Sequence, residues 1–513
     1  MAAHWTQGYV SELAYPHDYI AELNPARMQL PFLAAGLAPP VVGSACELGF
    51  GQGLSVNIHA AASGVEWHGN DFNPDQALGA RALAAASGAK AALTDESFAD
   101  FFARTDLPDF DFIGMHGVWS WVSDENRALI ADFIRRKLKP GGVVYVGYNT
   151  QPGWATTIPV RSLATQHVQR MAGPGQGLKS RIDGALGFIG ELAATQPAFM
   201  RDNPSVTPWI ETLRGQDVNY LAHEYFNASW RPMSFAEMAS ALVPAGLEFA
   251  CSAHVEVERT ILSSAQQSLV AGIADPVMRE LVRDFCVNQQ FRKDYWVKGA
   301  RRLDADAQAQ ALRASRVALV RPLAEVAFAT TTARGTIELA QPVFGPLLDL
   351  LADHRARTLA QIEESLPGMP LSQLVESLML LTAKGDVAPV QPDAVAVLAK
   401  PQADRLNMHL LNKAVGSSDV AHLACPMTGG AVALNRVEQL LLYASLDLSR
   451  KPSDLAPLVW QVLGSQGQRM LRDGKPLERE ADNLAELDRV ASSFVRRLPM
   501  LRALGVFPNV VRA

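Results

Sequence analysis

Three glycines follow an acidic residue at the end of an apolar stretch close to residue 50. The run is Glu47-Leu-Gly-Phe-Gly-Gln-Gly, in which Gly49, Gly51 and Gly53 alternate with larger residues. Glycine permits a tight turn with positive φ and lets a ligand approach the backbone closely. The spacing is neither the G-x-G-x-x-G of a dinucleotide fold nor the G-x-x-x-x-G-K-[S/T] of a P-loop. Because the carboxylate of Glu47 would repel a pyrophosphate, the loop predicts a ligand that carries a positive charge.

A second carboxylate, Asp71, follows the next predicted strand. A carboxylate at this place can accept hydrogen bonds from both hydroxyls of a ribose. Together with Glu47 and the glycine loop, it predicts a nucleoside with a positively charged tail. S-Adenosylmethionine has these features, because it joins ribose and adenine to an ammonium group and a sulfonium. The alternative is a glycine turn that only connects strand and helix, which would account for a lone loop.

The elements that must position these residues alternate between strand-like and helix-like segments. Such alternation predicts an α/β fold, with the loop and Asp71 at the carboxyl ends of its strands. We assign residues 41–160 together with 231–261 to a Rossmann-like core. The predicted strands are 41–48, 65–68, 109–116, 143–148, 246–251 and 253–258, and the predicted helices are 54–63 and 126–138.

Residues 161–230 form a predicted helical insertion, with Pro- and Gly-rich punctuation such as Gly173-Pro-Gly-Gln-Gly between its helices. Strand character returns at residue 246. The pair 246–251 and 253–258 is therefore expected to close the edge of the same sheet. The insertion would then be a lid over the edge where ligands bind.

After residue 262 the pattern is mainly helical. We assign residues 262–300 to a linking helix, 301–400 to a winged-helix-like domain and 401–513 to a C-terminal helical region. The second domain contains a helix–turn–helix–strand pattern, in which Leu371, Leu374, Val375, Leu378 and Leu381 share one helical face. A DNA-binding version would carry Arg or Lys on its second helix, but residues 372–383 contain neither, which favours protein interaction.

The composition narrows the function classes. The chain has 513 residues and a formal net charge of −6, without a basic block, so nucleic acid is not an expected partner. No run approaches the ~20 apolar residues of a membrane span, and we expect a cytoplasmic protein with no membrane partner. The 4 cysteines have no metal-ligand spacing, so no metal site is expected.

The order of the motifs resembles class I S-adenosylmethionine-dependent methyltransferases, whose successive motifs match the loop, Asp71, the strand ending at His116 and Lys139-Pro-Gly-Gly. A narrower resemblance covers nearly the whole chain. It is to methyltransferases that carry a methyltransferase regulatory domain, among them rickettsial lysine methyltransferases that act on outer-membrane proteins. Phe50 departs from the pattern, since many relatives have Cys or a small residue there. The matching strings are Tyr15-Pro-His-Asp-Tyr, Cys46-Glu-Leu-Gly, His116-Gly-Val-Trp-Ser-Trp-Val, Tyr148-Asn-Thr-Gln-Pro-Gly-Trp and Tyr220-Leu-Ala-His-Glu-Tyr-Phe.

The resemblance implies further cofactor residues. Asp95 would accept a hydrogen bond from the exocyclic amine of adenine, and Phe98 would pack on its ring. The alternative for Asp95 is a helix cap. Residues 1–40 would cap the cofactor through Tyr15 and Tyr19. The complete predicted cofactor set is Glu47, Gly49, Gly51, Gly53, Asp71, Asp95, Phe98, Met115 and His116.

Methyl transfer from a sulfonium is an in-line displacement that needs an acceptor with a free lone pair. A lysine amine, whose ordinary pKa is about 10.4, must therefore lose its proton in the site. Trp119 and Trp121 would form an aromatic wall that desolvates the amine and holds the approaching cation. His116 would accept a proton or orient the acceptor. The alternative is that both tryptophans are packing residues and that His116 is an ordinary turn histidine.

Tyr220, His223 and Glu224 have the spacing of one helical face, which predicts that they position an amine and remove its proton. The alternative is a solvated polar face with one buried tyrosine. Tyr148 and Asn149 end another strand and are expected to hydrogen-bond the substrate. The strand that ends in Gly114-Met-His-Gly lacks the [Asp/Asn]-Pro-Pro-[Tyr/Phe] motif, which argues against a base or a glutamine amide as the acceptor.

The leading hypothesis is methylation of lysine side chains in a protein substrate, such as a cell-envelope protein, by an enzyme that forms a homodimer. A small-molecule N- or O-methyltransferase is the second hypothesis, because the same core would suffice. The third is a non-enzymatic, cofactor-sensing interaction protein, in which the C-terminal half is the functional part.

Overall fold

A computed structural model describes residues 15–509 except 172, 174, 228, 333–334 and 448, and omits the side chains of 256, 258 and 332. Residues 1–14 of the predicted capping segment lie outside the described residues. The first half is built on a seven-stranded sheet of order β3-β2-β1-β4-β5-β7-β6, in which only β7 runs antiparallel to its neighbours. The strands are β1 (Ser44–Leu48), β2 (Glu66–Asn70), β3 (Ala91–Thr94), β4 (Phe110–His116), β5 (Leu138–Asn149), β6 (Glu248–Ser252) and β7 (Phe291–Val297).

Helices alternate with the first five strands, so the predicted α/β architecture is confirmed. Their starts are encoded locally: the side chain of Asn73 caps one helix ahead of Pro74, and that of Ser123 caps another. These helices are α1 (Gln29–Ala34), α2 (Leu54–Ala62), α3 (Pro74–Ser87), α4 (Phe98–Ala103) and α5 (Asp124–Lys137).

The two faces of the sheet carry separate apolar cores, as the alternation of side chains along a strand requires. Ala45, Trp67 and Tyr145 lie in the core beneath α2 and α3. Cys46 and Val144 lie in the core on the other face, with residues of α4 and α5. Because both faces are covered, the open edge at the carboxyl ends of the strands is left for a ligand.

The edge of the sheet differs from the prediction. Strand β6 is present, but the predicted strand 253–258 is wrong, because Val255–Ile261 is a helix (α12). The strand that pairs with both β5 and β6 is β7, inside the segment predicted as a linking helix. The alternating valines suggested a half-buried strand, but Val255, Val257 and Ile261 instead pack on the core of the next region. Two more helices, α13 (Ser264–Ala271) and α14 (Pro276–Val287), precede β7.

The insertion is helical, as predicted, and its first helix begins at Ile158, three residues before the predicted boundary of 161. Two small apolar clusters hold it together, with Ile189 and Ile210 in one and Leu186 and Leu221 in the other. Its helices are α6 (Ile158–Arg170), α7 (Leu178–Ala194), α8 (Ala198–Asp202), α9 (Val206–Arg214) and α10 (Val218–Tyr225), and α11 (Phe235–Leu242) then leads back to the sheet.

The predicted helix–turn–helix–strand order is present in the region 301–400, but the winged-helix assignment is not confirmed. The final strand of this unit runs directly into a long helix instead of a second wing strand. The region contains α15 (Ala305–Ala314), β8 (Arg316–Leu319), β9 (Ala329–Thr332), β10 (Gly335–Glu338), α16 (Gln341–Leu351), β11 (Arg357–Thr358), α17 (Leu359–Ser365), α18 (Leu371–Lys384) and β12 (Val387–Pro389).

The C-terminal region packs against the sheet domain. Leu54, Ile58 and Leu83 of α2 and α3 belong to its apolar core, and its first helix crosses the predicted boundary at residue 400. No helix in the described part of the chain is long and apolar enough to cross a bilayer. The elements are α19 (Asp393–Ala414), β13 (His422–Cys425), β14 (Gly430–Ala433), α20 (Arg436–Ala444), α21 (Pro452–Ser465), β15 (Leu471–Arg472), β16 (Lys475–Pro476) and α22 (Glu480–Ala503).

Candidate active site

The glycine loop between β1 and α2 forms one wall of a cleft at the carboxyl edge of the sheet. Gly49 has φ +67°, and a Cβ there would lie 2.6 Å from a methyl carbon of Val118, so only glycine fits. Gly51 also lines the cleft. Gly53 lies off the cleft, and a Cβ there would be 2.4 Å from that of Ala80, so its role is the close packing of α2 on α3.

Asp71 holds this loop in place from the end of β2. Its carboxylate accepts hydrogen bonds from the backbone N–H of Gly51 at 2.8 Å and from that of Asn73 at 3.0 Å. Burial raises the pKa of Asp71 to about 6, although both hydrogen bonds favour the charged form. The residue therefore lines the cleft as a carboxylate at neutral pH, as the sequence predicts.

Glu47 is the least satisfied charge of the cleft. It is 4% exposed, and its Oε2 has no hydrogen-bond partner among the described residues. Burial, followed by repulsion from Asp71, raises the pKa of Glu47 to about 8. A buried carboxylate of this kind fits a ligand that brings its own positive charge, because the ion pair would offset the cost of desolvation. An ammonium group meets this requirement, so the residues present fit the predicted cofactor.

Aromatic side chains close the cleft on two sides. Tyr15 lies over the loop, with its ring 3.3 Å from where a Cβ of Gly51 would be, and Phe98 contributes from the start of α4. Trp121 lies on the opposite wall, whereas the ring of Tyr19 is buried between His59 and His422, away from the cleft. The residues lining the cleft are Tyr15, Pro16, Asp18, Ile20, Leu23, Glu47, Gly49, Phe50, Gly51, Gln52, Ser55, Asp71, Phe72, Gln76, Phe98, His116, Gly117, Val118, Trp121 and Val122.

Two predicted cofactor residues lie away from the cleft. The carboxylate of Asp95 accepts a hydrogen bond from Arg81 at 3.2 Å on the surface, and Ser97 caps α4 in its place. The alternative of Asp95 as a helix cap is therefore wrong, and its predicted contact with adenine stays a prediction. Met115 is fully buried in the core on the other face of the sheet, because it alternates with His116 along β4.

His116 lines the cleft and is held from behind. Its Nδ1 is 2.8 Å from the hydroxyl of Tyr145. Burial raises the pKa of Tyr145 well above its usual value, so that hydroxyl keeps its proton and can donate it to Nδ1. Because a protonated hydroxyl can donate to Nδ1 or accept from it, this bond fixes the position of the ring without fixing its tautomer. Desolvation lowers the pKa of His116 to about 4, so the ring is neutral at pH 7.

A buried ion-pair network lies behind the Tyr145 and His116 pair. Glu22 accepts hydrogen bonds from His254 at 2.7 Å and from Lys293 at 2.9 Å. Burial works against the charged carboxylate, but these two partners outweigh it and hold the pKa of Glu22 well below its ordinary value. No motif in the sequence suggested this network, since its members come from three distant segments.

Three predicted substrate residues are part of the core instead. Trp119 is fully buried and donates its indole N–H to the sulfur of Met233 at 3.3 Å. Tyr148 is also fully buried, and its hydroxyl donates to Asp294 at 2.9 Å. Asn149 is buried and pairs through its backbone with Ser120. A position at the carboxyl end of a strand therefore did not suffice to bring these side chains to the cleft.

The three predicted residues of α10 are separated from the cleft by Tyr15. The ring of His223 is buried and meets that of Tyr15 edge-on, with centroids 5.2 Å apart. Tyr220 is 43% exposed, and both Tyr220 and Glu224 lie close enough to Tyr15 to raise its pKa, so the three residues share a helical face that turns towards Tyr15. Their predicted action on an amine stays a prediction. Burial and repulsion from Asp18 raise the pKa of Glu224 to about 7.

Comparisons with known proteins agree with this architecture. Residues 217–298, from α10 to β7, match the model of a predicted methyltransferase regulatory domain. The uncharacterized protein sll1526 of Synechocystis is 37% identical over 512 residues, which cover 98% of this chain and 99% of that protein. The uncharacterized protein RP028 of Rickettsia prowazekii is 29% identical over 160 residues, 30% of this chain and 63% of that protein.

Among solved structures, PKMT2 from Rickettsia typhi in complex with AdoHcy has a TM-score of 0.67 at 17% identity, over 97% of this chain and 100% of that chain. This likeness establishes the fold along the whole length. The identity to sll1526 places the two chains in one family. The chain therefore belongs to one family with sll1526, has the fold of a class I methyltransferase, and carries a region that matches a methyltransferase regulatory domain.

Proposed function

We propose that the protein transfers a methyl group to the lysine side chains of a protein substrate. The observation that carries the proposal is the buried carboxylate of Glu47, whose Oε2 lacks a partner among the described residues, beside the glycine loop and Asp71. S-Adenosylmethionine, when bound, supplies an activated methyl group on a sulfonium. Glu47 would pair with its ammonium group, Asp71 would accept hydrogen bonds from its ribose hydroxyls, and Phe98 would pack against adenine.

The acceptor amine must lose its proton before it can attack. The neutral His116 is a poor proton acceptor at pH 7, because its pKa is about 4. His116 also cannot donate a hydrogen bond to the attacking nitrogen, because the single lone pair of the amine must face the methyl group, so its role is to line and shape the cleft. Glu224 lies outside the cleft beyond Tyr15, and its pKa of about 7 would let it take the proton of the amine before the amine passes Tyr15. In this proposal the rings of Tyr15 and Trp121 hold the cationic form as it approaches and desolvate the amine as it passes.

Two features favour a protein acceptor. The fold matches PKMT2 of Rickettsia typhi along the whole chain. The helical regions outside the sheet domain also exceed what a small acceptor requires. A small-molecule acceptor would need only the cleft.

The proposal is tested by incubating the purified protein with methyl-labelled S-adenosylmethionine and cell-envelope proteins, followed by mass spectrometry of the labelled residues. Label on lysine side chains is the expected result. Turnover on metabolite extracts without any labelled protein would instead assign a small-molecule acceptor. Binding of the cofactor with no S-adenosylhomocysteine formed under either condition would contradict enzymatic function.

A further inference from the structure

The helical insertion contains a buried cation for which the described chain supplies no anion. Arg161 lies on α6, and its Nη2 donates to the backbone carbonyl of Asn227 at 2.6 Å. Its guanidinium carbon is 4.7 Å from the centroid of the Trp230 ring. Its Nε is buried and has no acceptor among the described residues, and none of the ion pairs between these residues includes Arg161. Buried cations are ordinarily paired, so this arrangement requires an explanation.

The pKa of Arg161 agrees with the absence of an anionic partner among the described residues. Burial alone lowers the pKa of Arg161 to about 10, with no neighbouring carboxylate to offset the desolvation. Its aliphatic stem packs beside a small apolar cavity with Trp209, Ile210 and Tyr225, whereas the guanidinium lies over the Trp230 ring. Beside such apolar groups an anion would gain more from the guanidinium than it would in water.

Trp230 provides a second observation, independent of charge. Its indole N–H is also buried and has no acceptor among the described residues. Two neighbouring donors, one of them charged, therefore both lack an acceptor. A carboxylate satisfies such a pair, because it accepts several hydrogen bonds and carries the single negative charge that one guanidinium balances.

The position of this pair connects it to the cleft. The ring of Trp230 is 6.0 Å from that of Trp121, which lines the cleft, and 5.3 Å from that of Trp154. Arg161 therefore contacts the ring of Trp230, which in turn contacts the ring of Trp121, the residue past which the proposed acceptor amine enters. An extended peptide spans about 3.3–3.6 Å per residue, so a side chain one to three positions from the methylated lysine covers this separation.

We propose that Arg161 and Trp230 bind the carboxylate of an acidic residue close to the acceptor lysine, so that the enzyme selects lysines with an acidic neighbour. This inference rests on the proposed function, because it names the class of substrate that the same site takes. The step is binding only, and no bond is made or broken at the guanidinium.

The test uses the full-length protein with ¹⁵N-labelled tryptophan and follows the indole N–H signals by NMR, with Trp230→Phe to assign the signal of Trp230. The probes are the capped peptide Ac-Gly-Lys-Gly-Glu-Gly-NH₂, its Gln counterpart and sodium acetate. We expect the Glu peptide to shift the Trp230 signal and to bind about 10- to 100-fold more tightly than the Gln peptide. Arg161→Gln should abolish this difference, and Arg161→Lys should retain part of it.

Arg170→Gln is the matched control, since Arg170 is exposed on the same helix and bonds only Gln166. It should leave the preference for Glu unchanged. Equal binding of the two peptides by the parent protein would overturn the inference. So would an acetate-induced shift that the Glu peptide does not exceed at equal concentration, because the site would then take free small carboxylates.

Failure of this inference is distinguishable from failure of the proposed function. The peptide titrations need no cofactor and no turnover, whereas the proposed function depends on methyl transfer. If lysine is labelled but the peptides bind equally, only the acidic-neighbour rule is wrong. If the peptides are discriminated but no methyl is transferred, the proposed function is wrong and the carboxylate site stands.

Discussion

Two groups of buried charges lie on the same sheet and differ in whether the chain supplies their partners. Arg292 on β7 donates to Asp294 at 2.7 Å, to Asp284 at 2.6 Å and to Glu280 at 2.9 Å. Its guanidinium also lies 4.6 Å from the centroid of the Phe235 ring. Glu47 on β1 is buried to a similar degree, yet one of its oxygens has no partner among the described residues.

The difference appears in the direction of the pKa shifts. Burial works against the charged form of Arg292, but the surrounding carboxylates outweigh it, so the pKa of Arg292 is raised well above its ordinary value. Burial dominates for Glu47 and raises its pKa to about 8, so the neutral form is favoured below that pH. Burial alone therefore does not separate a structural charge from a ligand-binding one. The two kinds of charge are separated by whether the chain provides their partners, and by this criterion Arg161, like Glu47, is a ligand-binding charge.

The largest expected effect is on stability and concerns the buried ion-pair cluster around Arg292. Arg292→Met removes the cation from Asp284 and Asp294 while Glu280 keeps Arg283, so we expect a loss of about 3–5 kcal/mol in the free energy of unfolding. Urea denaturation measures it. Arg135→Met is the control, because Arg135 is half-exposed and pairs with Asp132 on the surface, where such a pair contributes about 0–1 kcal/mol. An equal loss in both variants would remove the distinction between the two groups of charges.

Glu47→Gln should behave in the opposite way. It removes an ionisable carboxyl that is mostly neutral at pH 7 without ligand and leaves no charged partner behind, so the free energy of unfolding should change by less than about 1 kcal/mol. The affinity for S-adenosylmethionine should fall about 100-fold, measured by calorimetry, because the ammonium group loses its counter-charge. Glu66→Gln, at the exposed start of β2, is the matched control and should bind normally. A large loss of stability with normal affinity would make Glu47 a structural residue.

The raised pKa of Glu47 predicts a pH dependence of cofactor binding. A cationic ligand favours the carboxylate, so binding near pH 7 should release up to one proton, and the affinity should rise up to about 50-fold from pH 6 to pH 8. Calorimetry in buffers of different ionisation enthalpy counts the proton, and Glu47→Gln should abolish its release. In the protein without ligand, the free energy of unfolding changes with pH in the opposite direction to the affinity. Because the folded-state pKa exceeds the ordinary value, the contribution of Glu47 is lost as the pH rises through about 8.

The smallest expected effect is a gain in stability. Arg161→Met removes a buried, unpaired charge and keeps an apolar side chain beside the cavity, so the free energy of unfolding should rise by about 1 kcal/mol. Thermal denaturation without peptide measures the change, and Arg170→Met should be neutral. Destabilisation of Arg161→Met by several kcal/mol would mean that the cation is already balanced within the protein, as that of Arg292 is.

How well the sequence predicted a feature depended on how far apart in the sequence the interacting residues lie. The glycine loop and Asp71, which bonds the N–H of Gly51 at a separation of 20 residues, were found from residue types and spacing. Tyr148 was misplaced because its partner Asp294 is 146 residues away. Strand β7 was missed because Phe291–Val297 finds both neighbours through distant pairing, while the alternating valines at 255 and 257 pack as a helix.

The amino-acid order by itself determined the turn chemistry, the alternation of strands and helices, and the acidic character of the loop, since each depends on local backbone preference. Only the tertiary structure decided which side chains reach the cleft. It brought Glu22 to His254 and Lys293, which are 232 and 271 residues away, and placed Arg161 over Trp230 without an anion. The reason is physical: charge pairing and burial are set by the packing of distant segments, which no local pattern encodes.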